Sequence, residues 1–328
     1  MKTAVVILNW NTKDFLEKFL PPLIESTEGL DAEVIVADSA STDSSMEMMS
    51  EKFPKIRQIR LEKNYGFTGG YNRALSLVDA EYYVLINSDI EVPKNWLSPL
   101  VEWMDTHPEC GACGPKLHSW YDRDMFEYAG AAGGYLDRYG YPFCRGRVMS
   151  KIEKDTGQYD TPANVLWVSG ACLMVRSSLW NSLGGLDDRF FAHMEEIDLC
   201  WRIQLSGFKV TVVPSSVVYH IGGGTLPKKS PYKLFLNYRN NLLMLENNMP
   251  KTIGRKRARR RILTRMILDG MSGIVYLITG KWESFKAVVK AHREYRKLRR
   301  RTDEDAHANI DGLVNYWMIP RNLLFLQK

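Results

Sequence analysis

The sequence predicts an α/β fold in which a mixed, mainly parallel sheet is flanked by helices and followed by a basic helical extension. Short apolar runs alternate with amphipathic stretches over the first 250 residues, which is the pattern of βαβ units. The 328 residues have 45% hydrophobic and 25% charged content. A chain of this length and composition can bury a sizeable core, and it is typical of neither a repeat protein nor a disordered one.

The apolar runs predict strands and the amphipathic stretches predict helices. Strands are expected at Ala4–Leu8, Val34–Ala37, Ile56–Leu61, Tyr82–Ile86, Val165–Val175 and Val210–Val213. Helices are expected from Thr12 to about Ser26, from Thr42 to about Lys52 and over Gly70–Val78, with the two threonines as caps. Because polar residues end the first apolar run, we interpret the N-terminus as a buried strand rather than a signal peptide.

Positive charge is concentrated toward the C-terminus. Residues 251–301 contain 17 Lys and Arg but 3 Asp and Glu, a net charge of +14, whereas the whole chain carries +6. The remainder of the chain is therefore acidic. This change predicts a boundary near Met249–Pro250, with one domain at residues 1–250 and a basic amphipathic extension at residues 251–328.

The five cysteines do not resemble a disulfide framework, because their number is odd and they lie in core-like sequence. We therefore expect a reducing compartment. Cys110 and Cys113 form a CxxC pair, but neither a second pair nor a histidine pair follows at zinc-site spacing. Buried strand cysteines are favoured over a zinc site.

Polar side chains follow the predicted strands at the edge where parallel α/β sheets bind ligands. Asn9 and Asn11 follow the first strand, Asp38 follows the second, and Asn87 and Asp89 follow the fourth. Each residue alone is a weak signal, because a carboxylate such as that of Asp38 also caps turns. Together they predict a ligand site at the carboxyl edge of the sheet.

A glycine-rich segment over Asn64–Arg73 leads into a predicted helix. Its backbone amides and the helix N-terminus favour an anion such as a nucleotide diphosphate. The alternative is that Gly69 and Gly70 permit close packing of this helix on a strand. A Rossmann dehydrogenase is disfavoured, because the turn after the first strand has no G-x-G-x-x-G motif.

Three carboxylates crowd the start of a later predicted helix at Glu195, Glu196 and Asp198. The helix dipole accommodates them, and their mutual repulsion raises the pKa of at least one. A carboxylate with a raised pKa suits a general base. The alternative is that Asp198 pairs with Arg202 one turn later while the glutamates face solvent.

Eight stretches in a fixed order resemble glycosyltransferase family 2, especially its bacterial rhamnosyltransferase-like branch, over residues 3–247. They are VVILNWN, VADSASTDSS, NYGFTGGYNRAL, VLINSDIEV, SGACLMVR, GGLDDRFF, EEIDLCWR and VVYHIGGGT. The resemblance implies a GT-A fold and a reaction that inverts the anomeric carbon of a nucleoside diphosphate sugar. It also implies a UDP- or dTDP-linked donor and a glycan or lipid-linked acceptor in bacterial surface polysaccharide assembly.

The resemblance implies a role for each matching residue. Asp38 matches the acid that binds the nucleotide base, Asp89 the last acid of a DxD-like metal motif, and His220 a histidine that completes the metal site. Oxygen ligands with one imidazole suit Mn²⁺ or Mg²⁺. Glu195 and Glu196 match an acidic pair whose second member is usually the base. The other residues expected at the nucleotide sugar are Asn9, Asn11, Asn64, Gly69, Asn72, Arg73 and Asn87.

The chain departs from the family pattern at three positions. Asn87 replaces the first aspartate of the metal motif, so Asp89 is expected to carry more of the metal's charge. Glu196 replaces the commoner aspartate, which leaves open which of the two neighbouring glutamates is the base. Tyr71 stands where other branches have arginine, so neutralisation of the diphosphate depends on the metal or on Arg73.

The extension from Lys251 lacks the roughly 20 clean apolar residues that a spanning helix needs. We expect it to bind an anionic membrane surface peripherally, at the cytoplasmic face, through its charge and through Trp282, Trp317 and Phe325. A solvated charged face and a homo-oligomer contact are the alternatives. Nucleic acid is disfavoured as a partner because no recognition module is evident.

Two other classes of function stay open. A sugar nucleotidyltransferase would share the fold class and a metal-binding acid, but it is expected to have a glycine-rich signature soon after its first strand. A catalytically silent scaffold that binds nucleotide sugars would give Asp89, His220 and the acidic cluster no reason to occur together.

Overall fold

One mixed sheet forms the centre of the protein. A computed structural model of the chain describes residues 1–222, 230–300 and 304–318. The strands in these ranges are β1 Thr3–Asn9, β2 Ala32–Asp38, β3 Arg57–Arg60, β4 Tyr82–Ile86, β5 Ile90–Glu91, β6 Cys110–Ser119, β7 Gly134–Leu136, β8 Pro142–Cys144, β9 Arg147–Val148, β10 Lys151–Ile152, β11 Ala163–Asn164, β12 Cys172–Arg176 and β13 Lys209–His220. The central sheet has the order β11-β13-β6-β12-β4-β1-β2-β3, with β5 paired to β13, whereas β7 to β10 form a separate small sheet.

The first helix begins directly after the predicted cap Thr12, whereas the second begins after Ser44 rather than after Thr42. They are α1 Lys13–Thr27, α2 Ser45–Lys52, α3 Gly66–Leu75, α4 Ser98–Thr106, α5 Ser177–Ser182, α6 Glu195–Leu205, α7 Pro231–Ile253, α8 Arg255–Ile278 and α9 Trp282–Leu298. The Thr12 hydroxyl donates to Asn9 Oδ1 at 2.6 Å, so it does not cap α1. Because α3 begins at Gly66, both Gly69 and Gly70 lie inside a helix rather than in a loop.

The parallel half of the sheet brings three polar strand ends to one edge. Strand β1 pairs in parallel with β2 and with β4, and Asn9 lies opposite Asp38. Strand β4 ends at Ile86, which pairs with Ile7, so Asn87 leaves the sheet beside Asn9. The central residues of all three strands are buried, as expected for a sheet covered by helices on both faces.

The other half of the sheet is mixed, and one strand prediction is wrong there. Strand β12 is antiparallel to β4 and β6, while β13 is parallel to β6. Of the predicted strand Val165–Val175, the part before Cys172 is not in β12. Val165 and Leu166 are buried, and both of their carbonyls accept hydrogen bonds from Gln204 of α6. A buried apolar run under a helix resembles a buried strand in sequence, which explains the error.

All five cysteines are buried, free thiols. Cys110 and Cys113 lie in β6, so the prediction of buried strand cysteines is confirmed for this pair.

Three helices follow the sheet, and the chain then returns to it. Helix α7 runs through the predicted boundary at Pro250, and the helical run first breaks at Gly254. Asp311 binds Lys209 of β13 at 2.9 Å, and the Gly312 carbonyl accepts a hydrogen bond from Leu136 of β7. The division into two domains at residue 250 stays a prediction. Phe325 lies outside the described residues.

Candidate functional site

The ends of β1 and β2 form a hydrogen-bonded corner. The Asn9 amide nitrogen donates to Asp38 Oδ1 at 2.7 Å and to the hydroxyls of Ser41 and Ser45 at 3.1 and 3.0 Å. Asp38 Oδ2 accepts the backbone N–H of Ser41 at 3.0 Å. Asn9 and Asp38 are both buried, so Asn9 holds the carboxylate in place from within the protein.

Asn11 connects the loops that follow these two strands. Its backbone adopts a left-handed conformation with φ of 54°, which asparagine tolerates better than most residues. Its side-chain oxygen accepts the N–H of Thr42 at 2.7 Å, and its own N–H donates to Ser41. The structure therefore brings Asn9, Asn11 and Asp38 together at the carboxyl edge of the sheet.

The glycine-rich segment is a helix start supported by local contacts. Asn64 Oδ1 accepts the N–H of Gly66, the first residue of α3. Arg73 is exposed and stacks on the Tyr65 ring at 3.7 Å, and it donates to the Gly69 carbonyl at 3.0 Å. A Cβ atom on Gly69 would lie 2.9 Å from the Tyr65 Cβ, so a glycine is required for this packing. From the last turn of α3, the Arg73 side chain thus reaches back to Tyr65 and Gly69, toward the helix start that Asn64 supports.

The side chain of Asn72 is directed to another segment of the protein. Its nitrogen donates to the Leu186 carbonyl at 2.7 Å and to Asp188 at 2.8 Å, while its oxygen accepts the Leu186 N–H. In this structure Asn72 holds the Gly-Gly-Leu-Asp-Asp turn onto α3 rather than facing the corner at Asp38.

Two residues of the glycine-rich segment, Gly70 and Tyr71, pack against the core. A Cβ atom on Gly70 would lie 2.7 Å from the Leu8 side chain, which agrees with the alternative of close packing between helix and strand. Tyr71 is fully buried and its hydroxyl donates to the carbonyls of Val6 and Ile86. Tyr71 therefore does not take over the role expected of an arginine at this position, because its side chain lies in the core.

Asp89 and His220 face each other where β5 pairs with β13. His220 lies opposite Ile90 in that pairing, and Asp89 accepts the N–H of Ile221 through its backbone carbonyl. The side chains approach to 3.2 Å between Asp89 Oδ1 and His220 Nε2, and both are buried. Although burial opposes it, the interaction with His220 holds the pKa of Asp89 below its ordinary value.

A second carboxylate, Glu127, approaches the opposite side of the His220 ring. Its Oε2 atom lies 3.5 Å from His220 Nδ1 and accepts the N–H of Ala129 at 2.5 Å. Burial lowers the pKa of His220, but Asp89 and Glu127 outweigh that effect and raise it to about 10. Sequence reasoning missed Glu127, and the signal was a lone acid between the apolar residues Phe126 and Tyr128.

The spacing of Asp89 and His220 fits a divalent cation, which would displace the proton that His220 binds without it. Two adjacent ligands of an octahedral ion with bonds of about 2.1 Å lie about 3 Å apart, close to the observed 3.2 Å. The other ring nitrogen of His220, Nδ1, lies on the side of Glu127 and has no hydrogen-bond partner among the described residues. Within the same ranges no cluster of three or more His, Cys, Asp or Glu side chains makes a complete metal site. Asp89 and His220 would therefore supply only part of a coordination shell.

Glu195 and Glu196 begin α6 after a strained loop. His193 and Met194 have φ of 70° and 74°, and Asn240 of α7 holds this loop by donating to the His193 carbonyl. Burial raises the pKa of Glu196 to about 7. Burial and the neighbouring Glu196 raise the pKa of Glu195 well above its usual range. The Oε2 atom of each glutamate is buried without a hydrogen-bond partner in the described part of the chain.

Glu196 lies near the end of β4. A Cβ atom on Gly170 would contact the Glu196 Cβ at 3.4 Å and the Phe67 ring at 3.5 Å. The next residue, Ala171, accepts the N–H of Asn87 at 2.9 Å through its carbonyl. Glu196 and Asn87 therefore flank the same short segment, on the edge that also bears Asp89.

Asp198 has a structural role instead. It is fully buried and accepts hydrogen bonds from Arg202 at 2.7 Å, Asn247 at 3.0 Å and Asn248 at 2.8 Å. The pairing of Asp198 with Arg202 agrees with the alternative raised from the sequence, and the two asparagines join α6 to α7. Trp201 is likewise a core residue, and its indole N–H donates to Thr252.

Replacement of Asp198 by alanine should lower the free energy of unfolding by about 3–5 kcal/mol, because it leaves the largely buried guanidinium of Arg202 without its carboxylate partner. Chemical denaturation of wild type and variant measures this difference. Glu47→Ala is the matched control, since Glu47 also lies in the first turn of a helix but is exposed. Equal losses in the two variants would contradict the structural role.

Comparisons with known proteins agree on one family. The family model for Glycosyl transferase family 2 matches residues 4–179. The N-acetylglucosaminyl-diphospho-decaprenol L-rhamnosyltransferase of Mycobacterium tuberculosis is 28% identical over 234 residues, covering 66% of this chain and 75% of the relative. Rhamnosyltransferase WbbL of Escherichia coli K12 is 23% identical over 225 residues, covering 66% of this chain and 82% of the relative.

Similarity to solved structures concerns the fold. The mannosyltransferase PcManGT from Pyrobaculum calidifontis, in complex with GDP-Man and Mn²⁺, has a TM-score of 0.55 and 15% sequence identity. The match covers 90% of this chain and 87% of the mannosyltransferase. The prediction of a GT-A fold is therefore confirmed.

Proposed function

Because the chain belongs to glycosyl transferase family 2, we propose that it transfers a sugar from a nucleoside diphosphate sugar to a hydroxyl group of its acceptor, with inversion at the anomeric carbon. The resemblance to the rhamnosyltransferase-like branch is confirmed by the relatives. The observation that carries the proposal is Glu196, a partly buried residue with one buried carboxylate oxygen and a pKa raised to about 7, beside the strand edge that bears Asp89. A base poised near neutral pH is what activation of a hydroxyl requires.

The corner at Asn9 and Asp38 is the proposed site for the nucleoside. Asp38 Oδ1 accepts one hydrogen bond from Asn9 and can accept another from the imide N–H of uracil or thymine. The buried amide of Asn9 fixes the direction of that carboxylate, and Asn11 fixes the adjoining loop. A UDP- or dTDP-linked donor fits this chemistry.

Asp89 and His220 are the proposed protein ligands of Mn²⁺ or Mg²⁺, and Asn87 lies near them at the end of β4. Such a cation would stabilise the negative charge that develops on the departing diphosphate. Oxygens of the donor diphosphate can complete a shell that the described side chains fill in part. Arg73, stacked on Tyr65, adds positive charge near the glycine-rich segment.

Glu196 is the proposed general base. It takes the proton of the acceptor hydroxyl as the acceptor oxygen forms its bond to the anomeric carbon. The bond from that carbon to the diphosphate oxygen breaks, and its electron pair leaves with the nucleoside diphosphate. Attack from the face opposite the leaving group inverts the configuration. Glu195, whose pKa is raised well above its usual range by burial and by the neighbouring Glu196, is proposed to keep its proton, so that the pair does not hold two charges.

A glycan linked to a lipid is the proposed acceptor, in the assembly of a surface polysaccharide. The name of the Mycobacterium tuberculosis relative includes a lipid-linked acceptor, N-acetylglucosaminyl-diphospho-decaprenol. In the described ranges no helix is long and apolar enough to cross a bilayer. Peripheral attachment would let the enzyme reach such an acceptor from the membrane surface.

A panel of UDP-, dTDP- and GDP-sugars tests the proposal through release of nucleoside diphosphate from purified protein, with Glu196→Gln as the control. We expect release from a UDP- or dTDP-sugar that increases when a lipid-linked acceptor is added. Formation of pyrophosphate from a nucleoside triphosphate and a sugar 1-phosphate would instead identify a nucleotidyltransferase. Donor binding without any turnover would identify a silent scaffold.

A further inference from the structure

Helix α8 exposes an apolar face. We define the α8 outer face as five side chains that recur every three or four residues on the side away from the body, namely Leu263, Ile267, Met271, Ile274 and Ile278. Each of the five is between 55% and 79% exposed. The face extends over about 22 Å, because an α-helix rises about 1.5 Å per residue. It is one continuous apolar surface rather than a set of scattered side chains.

The inner side of α8 carries the charge instead. Arg265 and Asp269 are the two charged residues between Leu263 and Ile278, and both are buried. Arg265 donates to Asp269 at 2.7 Å and to Asn241 of α7 at 2.6 Å. Between Leu263 and Ile278, helix α8 therefore has the opposite polarity to an ordinary surface helix, which buries its apolar stripe and exposes its charges.

Basic residues flank the α8 outer face. Lys256 and Arg260 precede it on the same side of the helix, and both are exposed. Lys281 follows its other end and is exposed too. Beside it, Trp282 is half exposed and its ring stacks on Phe285 at 5.4 Å. Tryptophan is enriched where an apolar medium meets a polar one.

We propose that the α8 outer face docks onto an anionic lipid bilayer, with α8 lying along the surface. The aliphatic side chains enter the boundary between headgroups and acyl chains, while Lys256, Arg260 and Lys281 contact anionic headgroups. A second copy of the chain is a poor occupant, because pairing two outer faces would bring together two segments that each carry +14. Membrane docking is independent of the chemistry proposed for the site.

Co-sedimentation of the full-length protein with vesicles tests the proposal without any donor present. One set of vesicles contains phosphatidylcholine alone and the other contains added phosphatidylglycerol, and both are used over a salt series. We expect binding to anionic vesicles that weakens with salt. The double variant Ile267→Glu/Ile274→Glu should bind at least about 100-fold more weakly. Lys256→Gln/Arg260→Gln should bind about 25-fold more weakly at low salt and show a smaller salt dependence.

Leu263→Glu and Leu77→Glu form a matched pair for the location of the docking surface. Both leucines are 59% exposed, but Leu77 follows α3 on the body. Leu263→Glu should weaken vesicle binding, whereas Leu77→Glu should leave it unchanged. Thermal unfolding and donor turnover in solution should stay at wild-type values in all of these variants, which shows that the fold and the site are intact.

Three results would overturn the proposal. The first is equal binding of the wild type to neutral and anionic vesicles. The second is an equal effect of Leu263→Glu and Leu77→Glu. The third is a dimer in sedimentation velocity that dissociates in Ile267→Glu/Ile274→Glu while the wild type does not bind vesicles, since this would make the α8 outer face a contact between two copies.

Discussion

Replacement of Glu196 by glutamine is expected to lower turnover by roughly two to four orders of magnitude, the usual contribution of a general base. Glutamine keeps nearly the same shape but cannot take the proton of the acceptor, so the affinity for the donor should change little. Because the pKa of Glu196 is raised to about 7, wild-type activity should rise as the pH increases through that value. The variant should lack this rise.

Steady-state kinetics over a range of pH measure these effects, and Glu195→Gln is the matched control. That variant makes the same carboxyl-to-amide replacement at the neighbouring position at the start of α6. We expect it to retain far more activity than Glu196→Gln. An inactive Glu195→Gln beside an active Glu196→Gln would show that the base is the other glutamate.

The same substitution has an expected effect on stability. Burial places the pKa of Glu196 at about 7 in the folded state, above the 4.5 of an exposed glutamate. Between these pH values the folded protein therefore binds a proton that the unfolded chain does not. This contribution is fully present below pH 4.5 and is lost as the pH rises through 7. Denaturant titrations should find Glu196→Gln more stable than wild type at alkaline pH and similar to it at acidic pH.

Replacement of Asp89 by alanine should reduce turnover about 1,000-fold or more, because the cation that neutralises the leaving diphosphate would lose its one carboxylate ligand from the strand edge. Binding of Mn²⁺ alone, followed by electron paramagnetic resonance, should weaken in parallel. This second measurement does not depend on turnover.

Asp79→Ala is the control for this variant. Asp79 is exposed and precedes β4, whereas Asp89 follows the opposite end of that strand. Asp79→Ala should bind Mn²⁺ and turn over as the wild type does. Full activity of Asp89→Ala in excess chelator would refute the assignment of the metal site.

The sheet edge could be predicted from the sequence because it depends on local patterns. Each of β1, β2 and β4 is an apolar run with a polar residue directly after it. In a parallel sheet this order alone places Asn9, Asp38 and Asn87 at one edge. The start of α6 could be predicted in the same way, since a helix N-terminus stabilises acids and three of them stand at the start of an amphipathic pattern.

Contacts between distant segments could not be predicted in the same way. The approach of Glu127 to His220 joins positions 93 residues apart through the path of β6 and β13. The bond from Asn72 to Leu186 likewise depends on how a turn docks on α3. No periodic pattern in the sequence reveals such pairs. The sequence therefore predicted Asn72 as a nucleotide contact and led to no prediction for Glu127. The role of Asn72 at the nucleotide sugar stays a prediction.

The return of residues 304–318 to the sheet has a practical consequence for preparing the enzyme. Gly312 lies so close to the body that a Cβ atom there would be 2.3 Å from the Leu166 backbone nitrogen. The neighbouring Asp311 N–H donates to Gln204 of α6 at 2.8 Å. A chain that ends at residue 250 would lack Thr252, Asp311 and Gly312 and the contacts they make with the interior. Polar substitutions on the α8 outer face, in a chain of full length, are therefore the better route to a protein that crystallises without detergent.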